Sequence, residues 1–118
     1  MSKEPQCSDL EVVNNDYPDR GYTVRVEIPE FNCVCPRTGL PDFANIKISY
    51  IPDKHIVELK SLKLYMVKFR NVGIFHEHVT NRILDDLVKI ACPKKINIVG
   101  EFHPRGGIKT SVEASWEK

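Results

Sequence analysis

No stretch of the 118-residue sequence approaches the roughly 18 consecutive apolar residues that a membrane-spanning helix needs. The start, Met1-Ser2-Lys3-Glu4-Pro5-Gln6-Cys7, has no apolar run of the kind that opens a secretory signal. No membrane partner is expected, and the expected compartment is the cytoplasm. Charge of one sign is also scarce: 17 Lys+Arg against 16 Asp+Glu leave a formal charge of +1. That balance argues against a general nucleic-acid binder, so no direct nucleic-acid contact is expected. With 42% apolar residues the chain is not a disordered tail either. Four cysteines, Cys7, Cys33, Cys35 and Cys92, are too few for a disulfide scaffold, and a reducing compartment leaves them as thiols for chemistry or metal. The sequence contains no glycine-rich dinucleotide fingerprint, no internal repeat and no low-complexity tract.

What is present fits one domain. Residues 1–20 carry polar turn-forming material such as Asn14-Asn15-Asp16 and Tyr17-Pro18-Asp19, which predicts an extended or mobile N-terminal arm ahead of a single domain over 21–118. Tyr22, Val24, Val26 and Ile28 alternate with polar residues, a period of two that predicts a strand ended by Pro29. Ala44, Ile46, Ile48 and Tyr50 predict a second strand. Ile96, Ile98 and Phe102 form a third row with Gly100 between them; Ile108, Val112, Ala114 and Trp116 form a fourth, joined through a turn at Pro104-Arg105-Gly106-Gly107.

Between these pairs the period changes to that of a helix. Leu62, Tyr65, Met66 and Phe69 predict one helix, capped near Asn71–Gly73 by a left-handed glycine. Val79, Ile83, Leu84, Leu87, Val88 and Ala91 predict a second that stops before Pro93. The order ββααββ with hairpin connections gives an α+β class: a four-stranded antiparallel sheet with two antiparallel helices on one face. The open sheet edges favour self-association, with sheets from several subunits joining edge to edge into a barrel.

Three groups of residues could carry chemistry. Residues 31–43, rich in Pro and Gly, predict a shaped loop that holds the thiol of Cys35 and the carboxyl group of Asp42. A thiolate adds to an electrophilic carbon when its surroundings lower its pKa, and Arg37 is a local cation for that purpose. Both residues also suit a bland role, as a small buried hydrophobe and a turn former. Cys33-x-Cys35 with His76-x-His78 offers zinc ligands, although structural zinc sites more often place two to four residues between paired cysteines. Lys60, Lys63 and Arg70 share a helix face with Ser61 beside the helix start, which suits phosphate or simply water. Finally, Glu77 beside His76 can accept paired N–H bonds from a guanine-like edge, or merely favour a helix N-terminus.

Three motifs occur together and in order: Cys-Pro-x-Thr-Gly-x-Pro-Asp-Phe at 35–43, Glu-Leu-Lys-Ser-x-Lys-x-Tyr at 58–65, and Phe-His-Glu at 75–77. In this the chain resembles the nitrile reductase (QueF) family. Members reduce 7-cyano-7-deazaguanine to 7-aminomethyl-7-deazaguanine with NADPH on the route to queuosine in tRNA. The resemblance implies the tunnelling fold related to GTP cyclohydrolase I, and, from the short length, the single-module branch whose homo-oligomers hold active sites between subunits. By matching position, Cys35 would be the nucleophile that forms a thioimide and Asp42 the acid that protonates nitrogen. Val57, Glu58, Leu59, His76 and Glu77 would bind the substrate, and Lys60, Ser61 and Lys63 the phosphates of NADPH, with no metal. Cys35 must then be ionised while Asp42 keeps a proton, so burial should act on the acid and local cations on the thiol. Leu59 stands where many members carry Ser. Cys7, Cys33, Cys92 and His78 match no functional position. The alternatives are a zinc-dependent cyclohydrolase of the same superfamily and a non-catalytic purine-binding module.

Overall fold

The computed structural model describes residues 4–118, and its largest element is a four-stranded antiparallel sheet. In chain order the elements are β1 (Val12–Asn14), β2 (Val24–Val34), β3 (Pro41–Ile51), β4 (His55–Val57), α1 (Leu59–Val67), α2 (His76–Ala91), β5 (Lys95–Phe102) and β6 (Ser111–Glu117). The sheet runs β2-β3-β5-β6, and β1 pairs with β4 as a separate two-stranded ribbon. The ββααββ order is therefore present, with two short strands added to it.

Period-two alternation works because one face of the sheet is dry. Ala44, Ile46, Ile48 and Tyr50 on β3 and Ile96, Ile98 and Phe102 on β5 are buried, and Lys47, Ser49 and their neighbours look the other way. The buried face meets the apolar stripes of both helices, including Leu62, Tyr65 and Met66 of α1 and Val79, Ile83 and Leu87 of α2, in one core. Tyr65 is wholly buried, and its hydroxyl donates to Asp86 Oδ2 at 2.6 Å, which satisfies the one polar atom that this ring brings inside.

Gly100 marks a close approach between sheet and helix. A Cβ added there would lie 2.8 Å from Thr80 Oγ1 of α2 and 3.0 Å from the Phe102 ring. Gly100→Ala is therefore expected to destabilise the fold by about 1–3 kcal/mol through overpacking. Denaturant unfolding checks this, and an unchanged midpoint would show that the interface yields.

Four sequence expectations need correction. Pro29 does not end a strand. β2 continues through it to Val34, with a bulge between Ile28 and Phe31 where one extra residue fits opposite β3. A bulge tolerates proline because its N–H is not needed in the ladder. The region 31–43 is consequently not one long loop: Phe31–Val34 and Pro41–Phe43 are paired strand, and only 35–40 form a turn. Ile108 lies in the β5–β6 turn, 71% exposed, and β6 starts at Ser111. Gly73 does not provide a left-handed cap; α1 tightens into a 3₁₀ turn (Lys68–Asn71) and leaves it at Val72 in extended geometry. The left-handed cap belongs instead to α2, at Cys92 with φ 44°.

The N-terminal segment is extended where it forms β1, and it is docked. Val12 pairs with Val57, Leu10 is buried in the core, and Asp9 bonds Lys68 at 2.9 Å.

Candidate active site

The bulge at Pro29 decides where the thiol goes. Before it, the even-numbered residues Val24, Val26 and Ile28 are the shielded ones; after it, Phe31 and Cys33 are buried instead. A one-residue slip reverses which way every later side chain faces. Cys35 follows in the same phase, just beyond the end of β2.

Backbone bonds shape the turn that holds it. Cys35 N–H donates to Leu40 O and Gly39 N–H to Cys35 O, each at 2.9 Å, with Gly39 at φ 74°, a conformation that glycine adopts without penalty. The donors that act on the Cys35 thiol are the Thr38 hydroxyl first, then the backbone N–H groups of Thr38 and Arg37. These donors stabilise the thiolate and hold the thiol below its ordinary value, led by the Thr38 hydroxyl and opposed by partial desolvation and the charge of Asp42. Arg37 thus contributes an amide rather than its charge. Cys33 is the opposite case: sealed in the core, its thiol is pushed up to about 12 by burial.

Asp42 opens β3 directly across from Cys33 and is 5% exposed. Two side chains reach its carboxylate. His76 Nε2 lies 3.2 Å from Oδ2, and Arg105 Nε lies 3.3 Å from Oδ1. His76 is the first residue of α2, and its ring stacks on Phe102 with centroids 3.8 Å apart and planes 4° apart, which fixes its orientation. The segment that delivers it is laced to the end of β2: Val34 N–H donates to Val72 O at 2.9 Å, and Ile74 N–H to Val34 O at 3.0 Å. Arg105 sits on the turn between β5 and β6. Its backbone exchanges hydrogen bonds with Ile108 across Gly106 and Gly107, both at positive φ, and its guanidinium also donates to Pro41 O.

Cys35, Thr38, Asp42, His76, Glu77 and Arg105 therefore converge on one open concavity of about 370 Å³. Glu77 is exposed at its wall, on the first turn of α2. His78 is turned away onto the Phe75 ring, 5.7 Å between centroids. Among the described residues no three His, Cys, Asp or Glu side chains converge as metal ligands.

The other expected site residues lie elsewhere in this chain. Val57 is buried at the end of β4, with its N–H donating to the Tyr50 hydroxyl at 3.0 Å. Leu59 and Lys63 line a separate concavity of about 410 Å³ beside β2. The Glu58 carboxylate caps α1, accepting from Lys60 N–H at 2.7 Å and Ser61 N–H at 2.9 Å, and these two bonds hold it below the usual carboxylate range. Ser61 is buried with its hydroxyl donating to Glu58 O at 2.8 Å; Lys60 and Lys63 are exposed.

Sequence reasoning missed Thr38 as a thiol donor and Arg105 as a partner of Asp42. The Thr38 signal was its place inside the Cys-Pro-x-Thr-Gly motif, and Arg105 gave none beyond standing next to a Gly-Gly turn.

Comparison with known proteins gives the family and the fold. The family model described as QueF-like protein matches residues 41–118. The NADPH-dependent 7-cyano-7-deazaguanine reductase of Chloroherpeton thalassium is 58% identical over 108 residues, covering 92% of this chain and 93% of that protein. The chain belongs to the QueF-like family. A second relative of the same name, from Alkalilimnicola ehrlichii, is 52% identical over all of this chain and 91% of its own length. Among solved structures, the apo form of the archaeosine synthase QueF-Like superposes with a TM-score of 0.73 at 20% identity, covering 79% of this chain and 91% of that one. That likeness shows the tunnelling fold.

The thiol environment carries a pH prediction. Thr38→Val removes the leading donor to the sulfur, so the Cys35 pKa should rise, and the acid limb of its alkylation rate by iodoacetamide should move to higher pH. A pH profile that superposes on the wild-type curve would remove Thr38 from thiol activation.

Proposed function

We infer that this protein reduces the nitrile of 7-cyano-7-deazaguanine to the primary amine 7-aminomethyl-7-deazaguanine with NADPH, a step of queuosine biosynthesis. The observation that carries this reading is a thiol of lowered pKa sharing one concavity with a buried carboxyl group, in a chain 58% identical to a reductase of that name. A thiolate and an acid are what addition to a carbon–nitrogen triple bond requires.

Cys35 adds to the nitrile carbon while Asp42 gives a proton to the nitrogen, which leaves a neutral thioimide and an Asp42 carboxylate. His76, 3.2 Å from that carboxylate, is placed to return the proton. When bound, NADPH supplies the hydrides that take this carbon to the amine, one before and one after Cys35 departs as thiolate. The Thr38 hydroxyl and the amides that lower the thiol pKa also make it a better leaving group. Glu77 accepts the paired N–H groups of the guanine-like edge, with His76 beside it.

Val57, Glu58 and Leu59 are assigned to the base, and Lys60 and Lys63 to the phosphates. Two exposed ammonium groups suit phosphate, whereas the Ser61 hydroxyl and the α1 amides already have partners inside the chain. Since this segment does not line the Cys35 concavity, we assign its contribution to a second copy of the chain. Exposed apolar side chains near each half, Phe43 and Phe75 at one and Leu59, Leu64 and Val67 on α1, support a homo-oligomer with shared sites. No helix among the described residues is long and apolar enough to cross a membrane, and we place the enzyme in the cytoplasm, where its free cysteines stay reduced.

The test is substrate-dependent NADPH oxidation with product identification. Two NADPH consumed per amine formed is the expected stoichiometry; no oxidation above the substrate-free rate would overturn the reading.

A further inference from the structure

One set of contacts is unused by this chemistry. The Glu11 peptide spends both of its hydrogen-bonding groups on the segment that begins α1. Its carbonyl accepts the Glu58 N–H at 2.9 Å, and its N–H donates to Ser61 Oγ at 3.0 Å. The Ser61 hydroxyl in turn donates to Glu58 O, closing a ring through Glu11, Glu58 and Ser61. On one side of Glu11, β1 zips onto β4 with Val12 opposite Val57; on the other, Leu10 is anchored in the core at 2% exposure. Further back, Asp9 bonds Lys68, and Arg82 of α2 donates to Pro5 O at 2.5 Å. The N-terminal segment thus ties both helices together and ends on the residues assigned to the base and the phosphates, without reaching the Cys35 concavity.

We propose that Leu10–Asn14 is a positioning strand that holds Val57–Lys63 in its ligand-binding conformation, with Ser61 as the latch between them rather than a phosphate ligand. The physical case is that α1 is only nine residues long, too short to be stable on its own propensity. Its first turn therefore depends on what pins it. A phosphate oxygen accepts hydrogen bonds, and the single proton of this buried hydroxyl is already given to Glu58 O. The proposal rests on the reading of Val57–Lys63 as a ligand-binding segment.

The test uses the full-length enzyme and three variants, Ser61→Ala, Leu10→Ala and the double variant Lys60→Ala/Lys63→Ala. Ser61→Ala should raise KM by about tenfold, the scale of one lost hydrogen bond, and Leu10→Ala, which removes the apolar anchor that holds the strand to the core, should raise it in the same direction. Leu10→Ala should keep the wild-type kcat at saturation. Native-state hydrogen exchange on the wild-type protein gives a readout that needs no variant: the Glu58 amide and the β1 amides should open together, and Ser61→Ala should speed both. Separate opening of Glu58 and β1, or an unchanged KM in Leu10→Ala, overturns the latch. A raised KM for NADPH alone in Ser61→Ala, with none in Leu10→Ala, makes Ser61 a phosphate ligand instead. If the double lysine variant leaves both KM values unchanged, the phosphate reading of the segment fails, and the exchange data still decide whether the strand holds it.

Discussion

Cys35→Ala is expected to lower turnover by more than about 10⁴-fold, because in the proposed mechanism the thiolate bonds to the substrate and water cannot replace it. The fold should not notice the change. The turn at 35–40 closes through backbone bonds from Cys35 to Leu40 and Gly39, none of which uses the sulfur. Substrate binding should survive as well, since Glu77 and His76 stand on a different element. Cys35→Ser should fail almost as badly: it preserves shape, but a hydroxyl stays protonated under the same donors that ionise a thiol. Cys33, two residues away, cannot take over, being buried with its thiol pushed up to about 12. The measurement is single-turnover reduction alongside the unfolding midpoint. Residual turnover within tenfold of wild type would mean that the nucleophile is elsewhere.

Asp42→Asn should slow reduction by about 10²–10⁴-fold, the usual worth of a positioned proton donor. The amide is nearly isosteric and can keep a contact with Arg105, so the site should stay assembled while the acid is lost. The effect should fall on kcat more than on KM, because the proposed mechanism gives Asp42 the proton transfer to nitrogen and Glu77 the binding of the base. An unchanged kcat would remove Asp42 as the acid. A loss of soluble protein would show instead that the contacts with His76 and Arg105 hold the β3 end in place.

The elements that face a wet–dry boundary along their whole length were legible in the sequence. Ala44 to Tyr50 and Val79 to Ala91 each repeat one period without interruption, and both were read to within a few residues. Legibility failed where the period changes phase. Pro29 and Glu30 are both exposed at the bulge, so β2 looked finished when it had shifted by one residue. The strands β1 and β4 span three residues each, too few for any alternation to register. Of the candidate site, Cys35, Asp42, His76 and Glu77 were picked out from the motifs at 35–43 and 75–77, and the fold brings these four to one concavity. Arg105 was not: it comes 64 residues after Pro41, and only the β5–β6 turn brings it to that carbonyl and to Asp42. Ser61 was read for its chemistry and not for its burial, which depends on an N-terminal segment that carries no periodic signal.

The most direct measurement is the intact mass of wild-type protein incubated with 7-cyano-7-deazaguanine in the absence of NADPH. Addition to a triple bond expels no leaving group, so the expected gain is the full mass of the substrate, mapped by peptide digestion to Cys35 and absent in Cys35→Ala. An enzyme that turns over yet shows no adduct, or shows it on a different residue, would contradict the account.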